Sequence, residues 1–99
     1  MAEETSEHRL VYADPYLYCA HAHAVTTADG TIIAVFNRAP RRRAILHPPQ
    51  DPAFENVITR SHDAGRSWSA PMVVPDYGWS GVECAGLTVT ASGRVLLNQ

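Results

Sequence analysis

The chain is 99 residues long, room for about one small domain. It is 45% hydrophobic and 18% charged, the balance of a folded soluble protein and not of a disordered one. Eight basic residues, all Arg, against ten acidic ones leave a net charge of −2, which argues against a nucleic-acid partner held by overall positive charge.

No apolar run approaches the ~18 residues that span a bilayer, so no membrane partner is expected. The polar start, Met1 to His8, shows no secretory signal, and the expected location is the cytoplasm. Cys19 and Cys84 then read as two reduced thiols. Two cysteines are too few for a Cys-only zinc site, and no metal or cofactor is expected.

Residues 1–16 form a polar lead without periodicity. Residues 17–27 (LYCAHAHAVTT) alternate small and larger groups and read as a strand, ending at Ala28-Asp29-Gly30, a hairpin-turn signal. Residues 31–37 (TIIAVFN) are apolar on both faces, which predicts a strand covered on both sides. The Arg- and Pro-rich stretch 38–53 is a loop of about 16 residues, longer than loops usually are and therefore a candidate for function. A third strand follows over 54–60 (FENVITR), a compact turn over 61–67, and a fourth strand over 68–74 (WSAPMVV). Pro71 marks that strand as an edge, since proline donates no ladder hydrogen bond. After a Gly- and Trp-rich connection at 75–82, residues 83–98 read as a second hairpin turning at Ala91-Ser92-Gly93. No segment has helical periodicity, so the expected class is all-β.

The second hairpin repeats the first. With Gly93 laid on Gly30, Ala85 falls on Ala22, Thr90 on Thr27, and Val95, Leu96 and Leu97 on Ile32, Ile33 and Ala34. A four-stranded unit that begins again in this way is the pattern of a propeller blade: residues 17–74 as the first blade, 75–99 as the connection and first half of the second. A blade and a half leaves apolar faces wet, so the expectation is a truncated, N-terminal part of a longer propeller whose other blades are missing from this chain.

Residues 61–68 read Ser-His-Asp-Ala-Gly-Arg-Ser-Trp. Ser61 and Asp63 can accept hydrogen bonds from turn N–H groups, Gly65 can supply positive φ, and Trp68 can bury its ring at the start of the outgoing strand. This octapeptide, S-x-D-x-G-x-[ST]-[WF] at Ser61, Asp63, Gly65, Ser67 and Trp68, resembles the Asp-box, or BNR repeat, of sialidases (neuraminidases) and related propellers. A chance match in a chain of this length is below about one in a thousand. In that family the box joins the third and fourth strands of a blade, away from the substrate pocket, and is structural. The short strand, D-G turn and aliphatic strand over 21–38, Arg60 before the box, and 82–99 are also similar to the family's first blade and the start of its second.

The resemblance implies the opening of a sialidase-like, six-bladed propeller and a parent glycoside hydrolase of exo-sialidase type, with a glycan as partner. The general mechanism is protonation of a glycosidic oxygen through an oxocarbenium-like transition state. The family's acid/base Asp precedes the third strand, which implies Asp51, the only carboxylate in the loop proper. Where the family opens with Arg-Ile-Pro, whose Arg clamps the substrate carboxylate, this chain has His21-Ala22-His23-Ala24-Val25. The nucleophilic Tyr with its Glu, and the other two clamp arginines, belong to later blades, so this chain alone is expected to be inactive.

His21 and His23, at i and i+2, would share one face of a plain strand. They are candidate substrate contacts, packed channel histidines, or two metal ligands. Arg38, with Arg41 to Arg43, either attracts acidic groups of a polysaccharide or forms a solvated loop. Glu83 is a candidate pocket residue or a paired surface carboxylate; Tyr77 and Trp79 either stack on a sugar or pack, and His47 is a candidate for the pocket rim. Two other readings stay open: a non-catalytic carbohydrate-binding propeller, and a polysaccharide lyase using the channel histidines.

Overall fold

The computed structural model describes residues 6–44, 46, 50–75, 82 and 84–99. These residues hold strands β1 (Leu17–Thr26), β2 (Ile32–Pro40), β3 (Glu55–Ser61), β4 (Met72–Val73), β5 (Gly86–Val89) and β6 (Val95–Asn98), and no helix. β1 to β4 form one antiparallel meander in sequential order, and β5 and β6 a separate antiparallel hairpin. The class is all-β.

β2 lies inside the sheet between β1 and β3, and its residues Ile33 to Asn37 are all buried. Alternation sends Ile33 and Val35 to one face, here called the inner face, and Ile32, Ala34 and Phe36 to the other. On the inner face Val25, Ile33, Val35 and Ile58 pack against Ala85, Leu87, Val95 and Leu97 of the β5–β6 segment. Each such side chain fully removed from water contributes about 1.5–3 kcal/mol, and Val35, with no exposed surface, is at the centre. On the outer face the Tyr12 ring lies 5.4 Å from that of Phe36.

The two hairpins share one register. The pairs His23↔Val35, Ala24↔Ala34, Val25↔Ile33 and Thr26↔Ile32 recur as Gly86↔Asn98, Leu87↔Leu97, Thr88↔Leu96 and Val89↔Val95. The turns repeat as well. Thr27 N–H donates to Thr31 O at 2.9 Å and Gly30 N–H to Thr27 O at 3.0 Å; Thr90 N–H donates to Arg94 O at 2.8 Å and Gly93 N–H to Thr90 O at 3.0 Å. Gly30 and Gly93 take φ +88° and +86°, a region that glycine enters without steric cost.

Two strands depart from the sequence reading. β1 carries a bulge: Ala20 pairs with Asn37 and His23 with Val35, so His21 and Ala22 together oppose Phe36. His21 sits at φ +57°, and the plain alternation expected of His21 and His23 is broken there. The fourth strand is only Met72–Val73, where 68–74 was expected. The Ser69 hydroxyl accepts the Arg60 N–H at 2.9 Å, in the place of a ladder carbonyl, and Pro71 has no N–H to give. Trp68 therefore precedes the strand and does not open it. β4 is at the sheet edge, where Pro71 points.

Candidate functional site

The turn from β3 to β4 is closed by its own side chains. Ser61 Oγ accepts the Gly65 N–H at 2.8 Å and donates to Asp63 Oδ1 at 2.8 Å. Asp63 Oδ1 also accepts the Ser67 N–H at 2.8 Å, and Oδ2 accepts from the Ser67 hydroxyl. The Ser67 hydroxyl and N–H, with Ser61 behind them, hold the Asp63 carboxyl down to about 2. Trp68 Nε1 donates to Gly65 O at 3.1 Å, Gly65 takes φ +84°, and Ala64 takes φ +60°. Every oxygen of Ser61 and Asp63 named here is spent inside the turn, so the geometry organises backbone and leaves no ligand function to explain.

The polar groups that remain gather at the other end of β3, where β1 starts and β2 ends. The Asn37 side chain, buried on β2, donates to Asn56 Oδ1 on β3. Asn56 Nδ2 donates to Gln99 Oε1 at 2.9 Å, and Gln99 Nε2 donates to Pro75 O at 2.9 Å. Asn37 Oδ1 lies 3.2 Å from His21 Nδ1. With its amide nitrogen donating to Asn56, Asn37 offers an acceptor oxygen, so the proton in that contact is on His21 Nδ1. In the neutral ring this leaves His21 Nε2 as the acceptor.

His23 is held the other way round. Its Nδ1 accepts the Leu87 N–H at 2.9 Å, which leaves the proton of the neutral ring on Nε2. In their neutral forms the two imidazoles of the bulge thus differ: His21 keeps an acceptor at Nε2 and His23 a donor. Both side chains are exposed. The two residues are among those bordering a groove of about 540 Å³ with Tyr12, Ala24, Phe36 and Trp68, while their rings turn to inner-face partners, His21 to Asn37 and His23 to the Leu87 N–H.

Arg38 is engaged within the fold. Its Nε donates to Glu55 Oε1 at 2.8 Å, Nη1 donates to the Tyr12 hydroxyl at 3.2 Å, and the guanidinium carbon lies 5.9 Å from the Tyr12 ring centre. Asp51 is buried, 2% exposed, and accepts from both Arg42 Nε (2.6 Å) and Nη2 (3.0 Å), and from Ala53 N–H at 3.0 Å. Arg42 foremost, then the Ala53 N–H, lower the Asp51 carboxyl from its usual range. In this arrangement Asp51 is an ionised acceptor, whereas a general acid must carry its proton at working pH.

The structure keeps His21 and His23 together at the β1 bulge, with their Nδ1 atoms against Asn37 and the Leu87 N–H. Asp51 lines a different cavity of about 270 Å³ with Arg42, Tyr18 and Phe54. Glu83, Tyr77, Trp79 and His47 lie outside the described residues. Among the described residues no three His, Cys, Asp or Glu side chains converge on a metal-sized site, and Cys19 and Cys84 are both free and exposed.

Sequence reading overlooked Asn37, Asn56, Gln99 and Tyr12. The signal for the two asparagines was present: each interrupts an otherwise apolar strand (TIIAVFN, FENVITR), and a buried amide in a strand needs a built partner. No family model matches this chain, and no curated protein matches it.

Proposed function

We propose that this chain is the first blade, and the opening hairpin of the second, of a sialidase-like β-propeller that acts on glycans. The observation that carries the reading is the self-closed Ser61–Asp63–Ser67 turn joining β3 to β4 in a four-stranded antiparallel meander. The register repeat between β1–β2 and β5–β6 supports it, since a propeller is built from such units in succession. In this reading the parent is an exo-sialidase-like glycoside hydrolase, and the His21/His23 bulge contributes glycan contacts through one acceptor and one donor nitrogen.

A second reading, a carbohydrate-binding propeller without catalysis, is favoured by one observation. Asp51, the residue matched to the family's acid, is clamped as a carboxylate by Arg42. Binding needs no proton donor, and the exposed imidazoles satisfy it.

The test is glycan retention by the chain on a panel of acidic and neutral saccharides, read alongside hydrolysis of aryl α-sialosides. Retention of one class, lost in His21→Ala, with no turnover by the chain alone, is the expected result. Retention of none of the panel sinks the glycan reading. In a full-length protein, undiminished turnover by Asp51→Ala removes Asp51 as the acid and favours the binder.

A further inference from the structure

The contact between the two sheets has an apolar centre and polar ties beside it. Val25, Ile33, Val35 and Ile58 pack on Ala85, Leu87, Val95 and Leu97. Asn56 Nδ2 donates to Gln99 Oε1 at 2.9 Å, and His23 Nδ1 accepts the Leu87 N–H at 2.9 Å. An amide pair is indifferent to pH. The imidazole is not, and histidine changes charge between about pH 8 and about pH 5.

The Leu87 bond needs a lone pair at Nδ1, which only the neutral ring has. Protonation makes both ring nitrogens donors, so an N–H would face the Leu87 N–H, and no turn of the ring restores an acceptor. Leu87 is buried, where a backbone N–H without a partner is costly. His21, its neighbour in the bulge, responds in the other sense. It donates from Nδ1 to Asn37 Oδ1, and a cationic ring keeps that proton.

The surroundings leave His23 as the group that decides the contact. β5 and β6 carry no titratable side chain; Arg94 belongs to the turn between them and the exposed Cys84 thiol to the segment before β5. On β2 the titratable residue is Arg38, engaged with Glu55 and Tyr12. β1 itself adds Tyr18, Cys19 and His21. Phenols and thiols take on charge towards alkaline pH, imidazoles towards acid. Asp29 and Asp63, held down to about 2, stay ionised throughout histidine's range.

We propose that His23 is an acid-sensitive latch between the two repeats. Its neutral imidazole ties β5 to β1, and its protonation releases the tie. The bond is made above histidine's range and lost as pH falls through it. The apolar contacts remain, so the release is local to β5 and leaves the first sheet intact. This inference uses only the His23–Leu87 geometry, and it stands or falls apart from the glycan reading.

Amide hydrogen exchange of the chain, corrected at each pH for the intrinsic exchange rate, reads the latch. From about pH 8 to about pH 5, protection at Leu87 is expected to fall about tenfold, the usual net effect of one hydrogen bond, while Val35 keeps its protection. His23→Asn offers an acceptor oxygen that does not titrate, and its Leu87 protection is expected to stay level over the same range. His21→Asn, which suits the positive φ of that position, is expected to keep the fall of the parent. Level protection at Leu87 in the parent overturns the proposal, and that measurement needs no variant. A fall in His23→Asn equal to the parent's also overturns it, because the titration then lies elsewhere. So does a matching loss at Val35, the signature of a sheet that opens as a whole. None of these outcomes bears on glycan retention.

Discussion

The Nδ1 atom of His23, on β1, accepts the backbone N–H of Leu87, on β5, at 2.9 Å. This bond joins the two sheets at the point where their apolar faces meet, and it turns a side chain that sequence marks as a ligand candidate into a tie between repeats. In His23→Ala the Leu87 N–H loses its acceptor beside a buried leucine. The expected cost is about 1 kcal/mol, the usual net worth of such a bond. Hydrogen exchange locates the effect: the Leu87 amide should lose protection in the variant while the Val35 amide, deep in the first sheet, keeps it. Unchanged protection at Leu87 would mean that the apolar contacts alone hold the hairpin.

Gly30 and Gly93 give a paired test of the repeat. Both take positive φ and neither has a heavy atom within 4 Å of where a Cβ would be placed, so space is not the constraint. Alanine at either site is expected to cost about 1 kcal/mol through backbone strain alone, and asparagine less, because it tolerates the left-handed region. Thermal melts of the four variants check this. A large gap between the two sites would show that the turns are alike in shape and unlike in weight.

The strands and turns were legible because their signals are local. Asp29-Gly30 and Ser92-Gly93 encode turns by glycine stereochemistry, and the doubly apolar TIIAVFN run encodes a strand buried on both faces. The box at Ser61 to Trp68 also closes on itself within eight residues, so its bonding could be anticipated from residue types. The candidate site was less legible because its bonds are long-range. His21 meets Asn37 only because a bulge shifts β1 by one residue, and neither neighbour announces that bulge. The Arg42–Asp51 clamp depends on how a long loop folds back, which periodicity does not encode. β4 fell short of its expected length because the Ser69 hydroxyl competes with the backbone for the Arg60 N–H.

Acid should unfasten the protein through its aspartates. Asp63 is held down to about 2 by Ser67 and Ser61, and Asp29 to about 2 by the Thr27 hydroxyl and the Thr31 N–H, both from 3.8. A carboxyl whose folded value is depressed binds its proton more readily in the unfolded chain. Its stabilisation is therefore complete above about pH 3.8 and is lost as pH falls towards 2. Denaturant midpoints measured from pH 5 down to pH 2 are expected to fall through this window, and Asp63→Asn should flatten the fall. A variant with the slope of the parent would assign the acid sensitivity to other groups.

Arg42 and Asp51 provide the remaining test, because each fixes the state of the other. Arg42→Gln removes the main charge that lowers the Asp51 carboxyl and leaves a buried acid with the Ala53 N–H still in place. The Asp51 carboxyl is then expected to titrate at higher pH than in the parent, because burial disfavours an unpaired carboxylate. Carbon-13 NMR titration of the side-chain carboxyl reads this directly. The same substitution separates the two functional readings. If Asp51 serves as a proton donor, its raised titration in Arg42→Gln moves the alkaline limb of the full-length protein's pH–rate profile to higher pH. If binding alone is the function, the titration moves and glycan retention does not.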